Sequence, residues 1–230
     1  MLAYSLNWIA EKLEVSMANG EDKTAAVITV LQELMELHGN VIFGGDGYSS
    51  EWHRIAVEER GLKNIPTSAD ALPAFKEESV VELFKSTGVL SPAELASRFE
   101  VYAEQYILSI EMETNLVVDL ASTRIYPATV AYLDSLASAA SNLNGLDIEM
   151  SHNSIQEIAS EANAMMASVR KLKKAISVED FASIEKHMNY CAKTLCPLML
   201  EVRSQADALE CIVADDLWPL PKYQEMLFIR

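Results

Sequence analysis

The sequence predicts an all-α fold, a helical bundle with long antiparallel helices, and three observations carry that prediction. Ala, Leu, Glu, Ser and Met dominate, while only 8 Gly and 7 Pro occur in 230 residues, a composition that suits helix interiors. Apolar side chains recur at steps of three and four over long stretches, and strand-like runs are scarce. Half of the residues are apolar, enough for a real core in one large domain or two small ones.

The opening segment LAYSLNWIAEKLE sets Leu2, Leu6, Ile9 and Leu13 on one stripe of an amphipathic helix. A second helix starts near Asp22, turns Val27, Val30, Leu31 and Leu34 inward, and stops at Gly39, a residue tolerant of positive φ. The stretch NVIFGGDGYSSEWH, residues 40–53, follows as a glycine-rich loop. Ser49 or Ser50 then caps a short helix that Gly61 closes. Residues 62–78 carry two prolines and read as irregular, with Thr67 and Asp70 at capping-box spacing. A short helix over residues 80–85 ends near Gly88.

At Ser91 the pattern changes, because SPAE supplies a capping Ser91, Pro92 at the first helical position and Glu94 behind it. Helical periodicity then covers residues 92–143 and stops at Gly145. Pro127 lacks an N–H and its ring meets the preceding turn, which predicts a kink or break just before it. The cleanest repeats run from Ile155 to Ile176 and from Phe181 to Ile212, and predict helices over about 152–176 and 178–213. Their mean step of about 3.5 residues is that of helices packed side by side. Ser177 is a natural N-cap between them, with Asp180 three residues on, so the two form an antiparallel hairpin whose second helix bends at Pro197. One helical domain over 1–230 results: a helical pair at 1–39, a loop-rich segment at 40–90, a long-helix bundle at 91–214 and a tail at 215–230.

Charge and cysteine usage narrow the class. The 18 basic residues face 34 acidic ones, a formal charge of −16, and such a surface repels a phosphate backbone, so no nucleic-acid partner is expected. The basic run RKLKK at 170–174 reads as cations near a helix C-terminus. Cys191, Cys196 and Cys211 are odd in number, lack zinc-ligand spacing and lie on or near the apolar seam, which makes them packing residues of a reduced, cytoplasmic protein. Met165, Met166, Met188 and Met199 read the same way. No apolar run reaches the roughly 20 residues of a membrane span, so no membrane partner is expected.

The search for chemistry leaves no complete active site. As a phosphate cradle the loop lacks the Lys and the Ser or Thr that must follow its last glycine, and Asp46 repels an anion. A dinucleotide fingerprint fails because Ser50 stands where a third glycine is needed. Glu149 and His152 share the spacing of di-iron bundle ligands, without the second copy such a site requires, and read as chance. His38, His53 and His187 lie in separate segments and read as exposed helix positions. Glu113 falls on the stripe of Phe99, Tyr102, Tyr106 and Ser109, and a buried carboxylate needs a partner, so Glu113 and Arg124 form a candidate buried ion pair. From the residues alone, catalytic, cofactor-binding and metal-ligating positions are all assigned as none.

Four blocks carry a family resemblance: NVIFGGDGYSSEWH, GLKNIPTSADALPAF, GVLSPAELASRFEVYAEQY and DDLWPLPKYQEMLFIR. In this order they resemble the C-terminal region of type III glutamine synthetases, from near Leu2 to Arg230. The resemblance implies a parent chain several times longer that ligates ammonia to glutamate with ATP and Mg2+ or Mn2+. The nucleotide, metal and substrate residues of that parent lie upstream, so none is carried onto a position here. Asp46, Gly47, Tyr48 and Ser49, ahead of Trp52, match the family's loop, whereas Gly44 stands where the family has Asn. In that loop Gly47 is expected to supply backbone freedom and Asp46 a turn-forming side chain.

The function this implies is structural support of the catalytic barrel and of a homo-oligomer, with the chain's own upstream barrel as partner. A stand-alone helical interaction module without catalysis is the alternative, and a metal-binding bundle built on Glu149 and His152 is a third reading. Met1 precedes an already helical pattern, which points to a segment cut from a longer chain.

Overall fold

A computed structural model describes residues 2–145 and 153–227 of the chain. The regular elements among the described residues are all helical, as the composition predicts. They fall into two compact units, one up to Val101 and one from Tyr102.

The first unit opens with α1 (Leu2–Ala18) and α2 (Lys23–His38). Asp22 starts α2 by accepting the N–H groups of Thr24 at 2.8 Å and Ala25 at 3.1 Å, which satisfies two of the four donors a helix start leaves free. The two helices pack together, tied by Lys12 Nζ to Glu33 at 2.6 Å. Of the four residues expected inward on α2, only Val30 is buried, joined by Ala26; Val27 and Leu31 are exposed and Leu34 is half-buried. Helix α1 has no buried residue. Gly39 does not end α2 through positive φ: its φ is −56°, and the chain tightens into a 3-10 turn over Gly39–Val41.

Three short helices follow, α3 (Ser50–Glu58), α4 (Ser68–Ala71) and α5 (Glu78–Ser86). Gly61 closes α3 at φ +66°, where only glycine is unstrained, and the Leu62 N–H reaches back to the Ala56 carbonyl at 2.8 Å. Thr67 caps the single turn of α4. Then α6 (Pro92–Leu120) begins on the capping box read from SPAE: Ser91 Oγ accepts the Glu94 N–H at 3.3 Å, and Glu94 accepts the Ser91 N–H at 2.8 Å. Leu95 and Phe99 are its buried residues in this unit, with Lys76 Nζ 4.0 Å above the Phe99 ring.

The second unit contains the remainder of α6, α7 (Tyr126–Asn144), α8 (Asn153–Ile176), α9 (Ile184–Tyr190), α10 (Cys196–Glu210) and a short α11 (Tyr223–Leu227). Its core runs along α8 through Ile158, Ala162, Met165, Val169 and Leu172, and faces Met188, Cys191, Leu195, Val202 and Leu209. The hairpin is antiparallel: Tyr190 bonds the Ala175 carbonyl at 2.9 Å, and farther back along α8 Ser168 bonds Glu201 at 2.8 Å.

Two expectations need correction here. Pro127 does not break its helix, and Pro197 likewise lies within a continuous helical path. Each follows a five-residue π turn, Ala121–Ile125 and Cys191–Leu195, closed by the N–H of Tyr126 to Ala121 and of Cys196 to Cys191. The wider turn takes up the clash and the missing N–H that a proline imposes on an α-helix, so the helical path continues. The second helix of the hairpin also starts later than expected. Ser177 donates its hydroxyl to Lys174 and so belongs to the end of α8, while Ser183 is the N-cap of α9, accepting the Lys186 N–H at 3.3 Å.

Candidate functional site

The family-signature loop is built around two hydrogen-bonded residues. Asp46 Oδ1 accepts the Tyr48 N–H at 3.0 Å, and the Asp46 carbonyl accepts the Ser49 N–H at 3.2 Å and its hydroxyl at 2.7 Å. Ser49 Oγ in turn accepts the Trp52 N–H at 3.2 Å and caps α3. Asp46 therefore spends its carboxylate on the turn. Gly47 is not the residue that needs backbone freedom, since positive φ occurs at Gly20, Gly61 and Gly88 among the described residues. The constrained glycine is Gly45, where a Cβ would stand 2.7 Å from Cζ of Phe43. Tyr48 projects into solvent at 96 % exposure.

Behind the turn lies a stack that sequence reasoning missed. The Phe43 and Trp52 rings are 4.4 Å apart and 21° from parallel, and the Arg60 guanidinium sits 5.2 Å from the Trp52 ring and 5.7 Å from Phe43. Arg60 donates to the carbonyls of Asn40, at 3.2 Å, and Ile42, and its own carbonyl accepts from Asn40 Nδ2 at 3.4 Å. Its partners lie some twenty residues away along the chain, beyond any local pattern. The position just before the helix-ending Gly61 was the one available signal.

Glu113 and Arg124 do not form the expected buried pair, because both are exposed. The buried stripe of α6 shares Phe99 with the expected one and then runs through Ala103, Ile107 and Thr114, one position beyond Tyr102, Tyr106 and Glu113, and this turns Glu113 outward. The π turn at Ala121–Ile125 then breaks the eleven-residue register that placed Arg124 beneath it. Glu149 and His152 lie outside the described residues.

His187, read as an exposed helix position, instead meets Glu111 at 2.9 Å in a cavity of about 440 Å³. The Phe181 ring stacks on the imidazole at 4.0 Å and 10°, and Glu104, Glu179 and Ile107 complete the walls. A carboxylate that orients an imidazole is part of a nucleophile relay, but the neighbouring groups do not supply the rest. Ser183 at the cavity wall is engaged as the α9 cap. Cys191, one turn beyond His187, is fully buried, and burial, then the charge of Glu111 and the neighbouring Cys196, pushes its thiol up to about 11. At neutral pH it is a thiol rather than a thiolate, and serves packing. Burial also raises Cys196, followed by the charge of Glu113, while a Tyr106 hydrogen bond opposes them; Cys211 is exposed.

Two features of the described residues bear on ATP and a divalent metal. No group of three or more His, Cys, Asp or Glu among them is placed to hold a metal ion. The loop's carboxylate is committed to Tyr48, and the neighbouring cation Arg60 faces two carbonyls and two rings.

Comparison with known proteins completes the picture. The model of the glutamine synthetase C-terminal domain matches residues 26–144, which include the signature loop and the capping box. The chain is 33 % identical to a type-3 glutamine synthetase of Dictyostelium discoideum, over all of this chain and 32 % of that protein. It is 29 % identical to a glutamine synthetase of Bacteroides fragilis, again over the whole chain and 32 % of the relative. A Butyrivibrio fibrisolvens glutamine synthetase is 27 % identical over 94 % of this chain and 31 % of its own length. The chain thus spans about a third of the length of these relatives and matches their C-terminal part. With a family match over more than half of its residues, the chain belongs to the glutamine synthetase C-terminal domain family.

Proposed function

We propose that this chain is the C-terminal helical region of an enzyme that ligates ammonia to glutamate at the expense of ATP. In this reading it performs no catalysis itself, and it supports the upstream catalytic barrel and the assembly of a cytoplasmic homo-oligomer. ATP and Mg2+ or Mn2+ are held by residues of the upstream part. The observation that carries the reading is the alignment of the whole chain with only the C-terminal third of two glutamine synthetases. The chemistry of the described residues supports it, since Asp46 is engaged in a turn and Glu111 and His187 are hydrogen-bonded to each other.

The test is ATP-dependent glutamine formation by this chain alone and by the longer product of its gene. Activity is expected only in the longer product. Turnover by this chain that survives repurification overturns the reading. The alternative, a stand-alone interaction module, draws on the exposed apolar side chains of α1 and α2, and it requires that no barrel be encoded in frame upstream.

A further inference from the structure

The α1–α2 pair exposes an apolar face for which the first unit provides no cover. On α1, Leu2 at 75 %, Leu6 at 55 % and Met17 continue the stripe of half-buried Ile9 and Leu13. On α2, Val27, Ile28, Leu31 and Met35 are all exposed, and at 3.6 residues per turn they share roughly a third of the helix circumference. An amphipathic stripe of this kind belongs against another surface, and a contiguous exposed apolar patch marks an interaction site.

The relatives indicate the occupant. Two thirds of their length lies outside the matched part and on its N-terminal side, so α1 corresponds to the first helix after that region. We propose that the exposed face of α1 and α2 seats the region that precedes this segment in the relatives, through apolar side chains packed on Leu6, Ile28, Leu31 and Met35. The proposal rests on the reading of this chain as the C-terminal part of a longer synthetase. Direct covalent linkage holds such a region near α1 at high effective concentration. A second copy of this chain has no tether and must overcome repulsion between bodies of formal charge −16.

Maleimide labelling decides it. In a background carrying Cys196→Ala and Cys211→Ser, the thiol introduced by Leu31→Cys is labelled in this chain alone and in the longer gene product. Labelling is expected to slow at least tenfold in the longer product, and Ile28→Cys should behave alike. Equal rates in a longer product that makes glutamine overturn the surface and leave the functional reading standing. Slowing that appears in this chain alone as its concentration rises assigns the face to a second copy and also overturns the proposal. A gene without an upstream region removes both the surface and the reading. If the cysteine variants fail to fold, hydrogen exchange of the unsubstituted α1 and α2 amides replaces labelling: protection must rise in the longer product, and unchanged protection overturns the proposal.

Discussion

Helices α1 and α8 carry the same kind of apolar periodicity and meet opposite fates. Along α8, Ile158, Ala162, Met165, Val169 and Leu172 are buried, and even Ser168 is enclosed with a charged partner. Along α1 nothing is buried, and α2 buries only Ala26 and Val30. A period of three and four residues says that a helix has an apolar face. Whether the cover for that face lies in the same chain depends on what else folds beside it, and in α8 the cover is α10 and α7 with the π turns that precede them.

The largest expected effect tests the covered side of this contrast. Leu172 is 0 % exposed, and Leu172→Ala removes three heavy atoms from a packed wall, a change that costs about 2–5 kcal/mol by loss of burial and creation of a cavity. Urea unfolding followed by far-UV circular dichroism measures it. A loss below about 1 kcal/mol would show that the bundle yields easily and would erase the distinction from α1 and α2.

The caps offer a smaller effect and show what was legible. Ser49→Ala removes the acceptor for the Trp52 N–H and should cost about 1 kcal/mol of local stability, seen as faster hydrogen exchange across α3. In the same loop Gly45→Ala should displace the Phe43 ring from Trp52 and change the tryptophan emission, whereas Gly47→Ala meets open space and should leave it unaltered. Asp22, Ser49, Thr67 and Ser91 were all readable as caps because a cap involves residues two or three apart. The Arg60 clamp, the Glu111–His187 pair and the choice of Gly45 over Gly47 depend on residues brought together by tertiary packing, and no local pattern encodes them. The outward turn of Glu113 was lost for a related reason: a stripe chosen one residue off is turned by about 100° around the helix, enough to carry a side chain off the core face.

Acid titration weakens both units, through one named carboxylate in each. Hydrogen bonds from the Ser91 N–H and hydroxyl hold Glu94 below the usual carboxylate range, and Lys171 and then Ser168 do the same for Glu201. A depressed native pKa contributes stability that is present above the unfolded value of about 4.3 and is lost as pH falls through the native one. The stability gap between the native chain and Glu201→Gln, present at pH 7, should therefore narrow as pH falls below about 4. Glu94→Gln should narrow likewise, and melting temperatures across pH 3–7 test both. A gap that widens on acidification reverses the assigned direction.

The smallest expected effect is the most informative about the uncovered side. Leu31 is 54 % exposed, so Leu31→Ala in this chain alone should change stability by no more than about 0.5 kcal/mol, the range of ordinary surface substitutions. Leucine and alanine have similar helix propensities, which keeps the backbone contribution small. In a longer product whose N-terminal region covers the face, the same substitution becomes a core truncation and should move toward the cost expected of Leu172→Ala. Comparing one substitution in two chain lengths separates a side chain that is exposed by nature from one that is exposed because its cover is elsewhere. An equally small effect in both lengths would place Leu31 on a true outer surface.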